Sequence, residues 1–199
     1  MTDIDYEPWL TAYARLAPLP DAGPGLAILV TGVPGAGKST LAEGLARALR
    51  VPVFSLDWQL GALMPARVLT NENVVPIGEL TTVSSMARQL QLGLDAILDV
   101  AATQAEERDR YQAVAAGLGA RFVGIECVCS DEALHRSRVE GRDRGIPGWK
   151  PTVAWEHVLR MKGRWQTWTE PHLLLDSASQ SPEEMLKHAL DAVAAAVEG

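Results

Sequence analysis

Nine consecutive residues, Gly32-Val33-Pro34-Gly35-Ala36-Gly37-Lys38-Ser39-Thr40, carry the most specific chemistry in the chain. The spacing G-x-x-x-x-G-K-[ST] suits a chain of phosphates. Glycines let the backbone bend so that successive N–H groups face one anion, with no Cβ in the way. Lys38 reaches the β- and γ-phosphates, and the Ser39 hydroxyl takes a position on Mg2+. The context fits as well. An apolar run, Leu26 to Val30, precedes the loop, and Leu41, Leu45 and Leu49 follow at helical spacing. A helix starting there points its positive end at the same anion. A glycine turn that merely joins strand to helix does not require Lys-Ser-Thr in register. All nine residues are therefore expected to hold a nucleoside triphosphate.

Further candidates lie where strands should end, because ligands of a parallel sheet sit beyond the carboxyl ends of its strands. Asp57 follows the apolar stretch Val51 to Leu56. It reads as a general base that takes a hydroxyl proton, or as a turn aspartate. Asp99 closes Ala96-Ile97-Leu98 and reads equally as a carboxylate holding Mg2+ through water or as a strand-end cap. Asp176, after Leu173-Leu174-Leu175, is assigned to a purine-side loop. Arg136, Arg138, Arg142 and Arg144 form a basic stretch among Gly141, Gly145 and Gly148. Arg138 and Arg142, four apart, are expected on one helix face, stabilising the oxygens of a transferring phosphoryl group. A solvated basic surface is the competing reading. Trp58 and Trp149 stand in irregular segments and are expected to stack on a substrate. Arg88 is expected beside them, with residues 58–80, as an acceptor contact.

The elements that must position these groups follow from periodicity. Strands are expected at 26–31, 51–56, 96–100, 122–128 and 173–176. Helices are expected at 38–50, 81–94, 103–117, from Ser130, at 153–168 and from Pro182. The strands are continuous apolar runs alternating with helices, the signature of a parallel α/β sheet covered on both faces. Residues 1–25 read as an N-terminal arm, with a short helix carrying Trp9, Leu10 and Tyr13 on one side. Residues 26–199 read as one domain. Residues 57–80, with Gly61, Pro65, Pro76 and Gly78, show no clear period. The chain has 199 residues and a formal net charge of −7, which argues against nucleic acid as a partner. Cys127 and Cys129 lack a companion Cys/His pair and read as buried thiols. With no signal peptide and no spanning apolar run, a cytoplasmic, membrane-free protein is expected.

The loop, Asp57, Ile97-Leu98-Asp99 and Arg138-x-x-x-Arg142 together resemble the small P-loop kinases. That group includes gluconate kinase, chloramphenicol phosphotransferase and the zeta-toxin-like kinases. Arg144 to Trp149, Trp155-Glu156 and Leu174-Leu175-Asp176 are similar to ATP-binding members of the same group. The resemblance spans most of 26–197. It implies a P-loop NTPase with a five-stranded sheet like that of the nucleoside-monophosphate kinases, and a small lid at about 136–152. It also implies Lys38, Asp57, Arg138 and Arg142 as catalytic groups, and Ser39 and Asp99 as the metal side. The reaction implied is transfer from Mg2+-bound ATP to a small-molecule hydroxyl. Residues 60–80 match no acceptor pattern, so sugar, nucleoside and antibiotic stay open. Two other functions compete: an ATP-binding regulator, and a polynucleotide 5′-hydroxyl kinase.

Overall fold

The computed structural model describes residues 5–149 and 153–198. Five parallel strands form the sheet: β1 (Leu26–Thr31), β2 (Val53–Ser55), β3 (Ala96–Asp99), β4 (Arg121–Val128) and β5 (Leu173–Asp176). Their order is β2-β3-β1-β4-β5. The central β1 is buried along its whole length. Its alternate side chains therefore enter two separate cores. Ile28 and Val30 face α2 (Lys38–Leu49), α7 (Trp155–Arg164) and α8 (Pro182–Glu198). Ala27 and Leu29 face α1 (Glu7–Tyr13), α4 (Val74–Gln91) and α5 (Ala105–Gly117). Two further helices, α3 (Leu56–Leu63) and α6 (Glu132–Val139), start at the carboxyl ends of β2 and β4. The register sets Val30 of β1 beside Asp99 of β3, and Asp99 beside Ser55 of β2. All three lie at the edge from which the phosphate loop springs.

Four sequence expectations are revised. Residues 57–80 are mostly helical: α3, a 3-10 turn at Met64–Ala66, and α4 starting at Val74 rather than Thr81. The residues that suggested irregularity have other uses. Pro76 sits in the first turn of α4, where its missing N–H has no partner to lose. Gly78 lets α4 approach α3, since a Cβ there would lie 3.1 Å from Leu56. Next, α7 ends at Arg164 because the chain beyond it turns to give the Gln166 carbonyl to Arg108 at 2.7 Å. Trp168 leaves the helix and stacks on His172, ring centroids 4.5 Å apart. In α1 only Leu10 is buried, and Trp9 points outward at 63 % exposure. Finally, Arg142 lies beyond the end of α6, past a left-handed Gly141 (φ 72°), so it shares no helix face with Arg138. Part of the expected lid, residues 150–152, lies outside the described residues.

Candidate active site

The phosphate loop begins where β1 ends. Thr31 donates its hydroxyl to the Ala101 carbonyl, tying the β1 end to the segment after β3. Gly32 follows at φ 142°, and a Cβ there would strike the Cys127 carbonyl of β4, so this position requires glycine. Gly37, at φ 96°, is the residue from which α2 starts. Lys38 and Ser39 therefore occupy the first turn of α2, whose free N–H groups face the loop's concavity. A slot there is lined by Pro34, Gly35, Gly37 to Thr40, Arg138, Arg142 and Arg144. The sequence-predicted loop, helix start and arginines thus converge.

Lys38 carries its ammonium into the interior, 3.8 Å from Asp99 Oδ1, with the two side chains 9 % and 4 % exposed. Ser55 donates to the other oxygen, Asp99 Oδ2, at 3.0 Å. Asp99 Oδ1 itself is buried and accepts no hydrogen bond among the described residues. The Lys38 ammonium balances the charge of this oxygen but is too far to hydrogen-bond it, which leaves room for water or a second cation to complete the carboxylate. Ser39 and Asp99 line one cavity, so these residues fit a hydrated Mg2+ between them.

That second cavity, of about 320 Å3, adjoins the slot and shares Ser39, Arg142 and Arg144 with it. Trp58, 53 % exposed, stands on its wall with Val53, Ser55 and Ile146. Asp57, in the first turn of α3, is paired with Arg144, which donates to its carboxylate. Sequence reasoning singled out Asp57 and passed over Arg144 as one of four arginines. Its only distinguishing mark was the following Gly145, which has a left-handed φ of 62°.

A third cavity, about 350 Å3, opens on the other side of the loop between Gly35, Thr40, Leu41, Arg138, Ser177, Gln180 and Met185. Arg138 donates to the Ser177 hydroxyl at 2.8 Å and to its carbonyl at 3.1 Å. Its guanidinium is thereby committed to the segment after β5 rather than left loose for the phosphates. Asp176 accepts from the Ser130 and Ala178 N–H groups, at 3.0 and 2.9 Å. Those bonds hold its carboxyl below the ordinary range despite the opposing effect of burial. Asp176 thus ties the loops after β4 and β5, while Ser177 and Gln180, which sequence reasoning missed, face the cavity.

Two expected contacts lie elsewhere. Arg88 is exposed in the last turn of α4, bonded to Gln91 at 2.8 Å. That turn hands the chain to the start of β3, at the opposite edge of the sheet from the loop. Trp149 is half-buried, with its Cβ against Gly61 of α3 and its N–H on the Ile146 carbonyl at 3.1 Å. It packs the segment after α6 onto α3, and Ile146 takes the place on the cavity wall. Cys127 and Cys129 are free and buried. Burial pushes the Cys127 thiol up to about 12, which leaves it inert.

A family model described as an AAA domain (AAA_33) matches residues 28–166, which contain the loop, Asp57, Asp99, Arg138, Arg142 and Arg144. The chain belongs to this AAA domain family. No curated protein matches it. Among solved structures it is similar to a sugar kinase from Janibacter sp. HTCC2649 (19% identity, TM-score 0.63), covering 86% of this chain and 95% of that one. It is similar to a gluconokinase from Sinorhizobium meliloti 1021 (18% identity, TM-score 0.60; 87% and 94% covered). It is also similar to the Mycobacterium tuberculosis APS kinase in complex with AMPPNP and APS (19% identity, TM-score 0.60; 86% and 99% covered). At such identities the likeness establishes the fold, that of an α/β P-loop NTPase, in agreement with the group suggested by the motifs. No helix among the described residues is long and apolar enough to cross a membrane.

Proposed function

We propose that this protein is an ATP-dependent phosphotransferase acting on a hydroxyl of a small molecule. The observation that carries the reading is the pair of adjoining cavities. One is a phosphate slot over the loop, and the other a pocket of about 320 Å3 lined by Trp58, Asp99 and Arg144, the ion-pair partner of Asp57; the two share Ser39, Arg142 and Arg144. A regulator that only binds nucleotide has no need of the second pocket. That two of the kinases similar in fold are named for sugar-type acceptors agrees with a small hydroxylated substrate.

In this reading the base lies against Ser177 and Gln180, and the β- and γ-phosphates on the loop N–H groups and Lys38. Ser39 and, through water, Asp99 would hold Mg2+, which would supply charge neutralisation to the transferring phosphate. The acceptor hydroxyl attacks the γ-phosphorus in line, Asp57 takes its proton, and the bond to the β,γ-bridging oxygen breaks to release ADP. Arg144 links both cavities. When triphosphate enters, it exchanges the Asp57 carboxylate for the γ-phosphate and leaves Asp57 free to accept the proton. Arg142 adds positive charge at the junction, and Arg138 closes the base side.

The test is transfer of label from [γ-32P]ATP to pooled sugars, nucleosides and hydroxylated antibiotics, followed by resolution of the active pool. A labelled, acid-stable phosphomonoester is the expected product. Tight ATP binding without product from any pool would favour the regulator instead. Labelling of oligonucleotide 5′-ends would point to a polynucleotide kinase, which the net charge of −7 disfavours.

A further inference from the structure

Directly beneath the phosphate loop lies a histidine that no motif marks. His135, in the middle of α6, is wholly buried. Its Nε2 lies 2.8 Å from the Pro34 carbonyl, and since a carbonyl can only accept, Nε2 carries the hydrogen and donates. The Trp155 ring meets the imidazole edge to face, centroids 5.2 Å apart and planes at 81°. On the loop side, Gly35 rests on the ring so closely that a Cβ would lie 2.9 Å from His135 Cδ2. The remaining nitrogen, Nδ1, is buried and has no hydrogen-bond partner among the described residues.

We propose that His135 is a positioning residue for the phosphate loop, setting its anion-binding shape through the Nε2–H bond to Pro34. A glycine-rich loop has many backbone states, and nucleotide affinity depends on how completely one of them is selected beforehand. Pro34 fixes its own φ, Gly35 adopts φ 87°, and the bond from His135 holds the carbonyl between them. The device also joins the loop to α6, the helix that bears Arg138 and leads into Arg142 and Arg144. A shift of α6 is therefore felt at the loop. The donor must be neutral in the resting protein, because a second proton would fall on Nδ1, where no acceptor waits. Burial, with Lys162 of α7 and Arg138 of α6, holds the imidazole below its ordinary value, against the Pro34 carbonyl and Glu132. From β4 and the loop it leads into, Glu126, Cys127 and Cys129 line the same hollow.

This role rests on triphosphate binding alone and is independent of any acceptor, so its test reads nucleotide affinity. Calorimetry with Mg·AMPPNP compares the intact protein, His135→Phe and His135→Gln, alongside their melting temperatures. Phe keeps a ring against Trp155 but has no donor, and its affinity should fall about tenfold. Gln returns an N–H near the Nε2 position and should recover most of that loss. A Phe variant that melts lower yet binds as tightly as wild type reduces His135 to a packing residue and overturns the proposal. Side-chain 15N spectra of the unaltered protein give a second reading that needs no variant. His135 should be the Nε2–H tautomer and should shift when Mg·AMPPNP is added. A Nδ1–H tautomer, or a His135 signal indifferent to nucleotide, would overturn it as well. Should the intact protein bind no AMPPNP, the phosphotransferase reading falls together with it; failure of the Phe comparison alone leaves that reading standing.

Discussion

Lys38 and Asp99 answer each other's charge inside the protein, and this couples binding to stability at a single pair. Under the proposed reading, Lys38→Ala removes a charged donor to the phosphates, a loss of about 2–3 kcal/mol. Mg·ATP affinity should fall roughly 30- to 150-fold by calorimetry. The same change strands Asp99 as a buried carboxylate, so the melting temperature should fall too. Unchanged affinity would contradict the assignment of the loop. Asp57→Asn is different in kind: under the proposed mechanism it removes the proton acceptor, and it also weakens the ion pair with Arg144 while leaving the phosphate loop untouched. Turnover should drop by about 10²–10⁴ while nucleotide affinity is kept or rises, because Arg144 no longer has to leave a carboxylate. Single-turnover transfer measured beside AMPPNP titration separates the two effects. At this scale the sequence was readable where chemistry constrains spacing, as from Gly32 to Thr40. It misled where a residue type was the only clue. Arg88 and Arg144 carry no motif of their own, and only the direction of α4 reveals that Arg88 sits at the far edge. Ser177 and His135 gave no signal, since their importance comes from what the fold sets against them.

The lid depends on a helix face made flat by glycine. Gly61 of α3 takes Ile146, Pro147 and the Trp149 side chain in close contact. A Cβ there would lie 2.9 Å from both Ile146 Cγ2 and the Pro147 carbonyl, nearer than atoms can settle. Gly61→Ala raises helix propensity by about 1 kcal/mol, which offsets part of the strain. The melting temperature should therefore move little, while the segment from Arg142 to Trp149 is pushed from its seat. Hydrogen–deuterium exchange over 142–149 should accelerate and exchange in α3 should not. Identical exchange in both proteins would show that the lid does not lean on α3. This contact also accounts for the resistance of residues 57–80 to a reading by period. Gly61 and Gly78 are helix-packing glycines, and Pro76 is a first-turn proline, yet in sequence all three have the look of loop residues. The strands suffered no such ambiguity, because short continuous apolar runs bounded by polar residues and set between helices suit a doubly covered sheet and little else.

Over the whole molecule, the class of fold was legible from the alternation of apolar strands with helices, whereas the strand order was not. Which strand pairs with β1 is decided by contacts between residues about 70 apart, such as Ala27 with Ala96, and no local pattern encodes them. The same long-range assembly buries titratable groups and so gives stability a dependence on pH. Burial lowers His135 from its ordinary 6.5, aided by Lys162 and Arg138; partial burial, Arg160 and Arg164 also lower His157, which is exposed, against Asp57. The unfolded chain then binds more protons than the folded one as pH falls below about 6.5, so stability is lost in that direction. Burial raises Glu79 and Glu126 above their ordinary 4.5, against the pull of Arg110 and His172. Their contribution has the opposite sign: present below about 4.5 and lost as pH rises through their folded values. Between pH 7.5 and 5.5 the first effect should lower the urea midpoint, the unfolding free energy falling by at most about 1.4 kcal/mol per pH unit for the buried His135 and by less for the exposed His157, whose charge solvent screens. His135→Gln removes one of the two groups without adding charge, so its midpoint should decline less steeply over that range. Parallel declines in the two proteins would mean that His135 accepts its second proton as readily when folded as when unfolded, and that the hollow beneath the loop is not closed to charge.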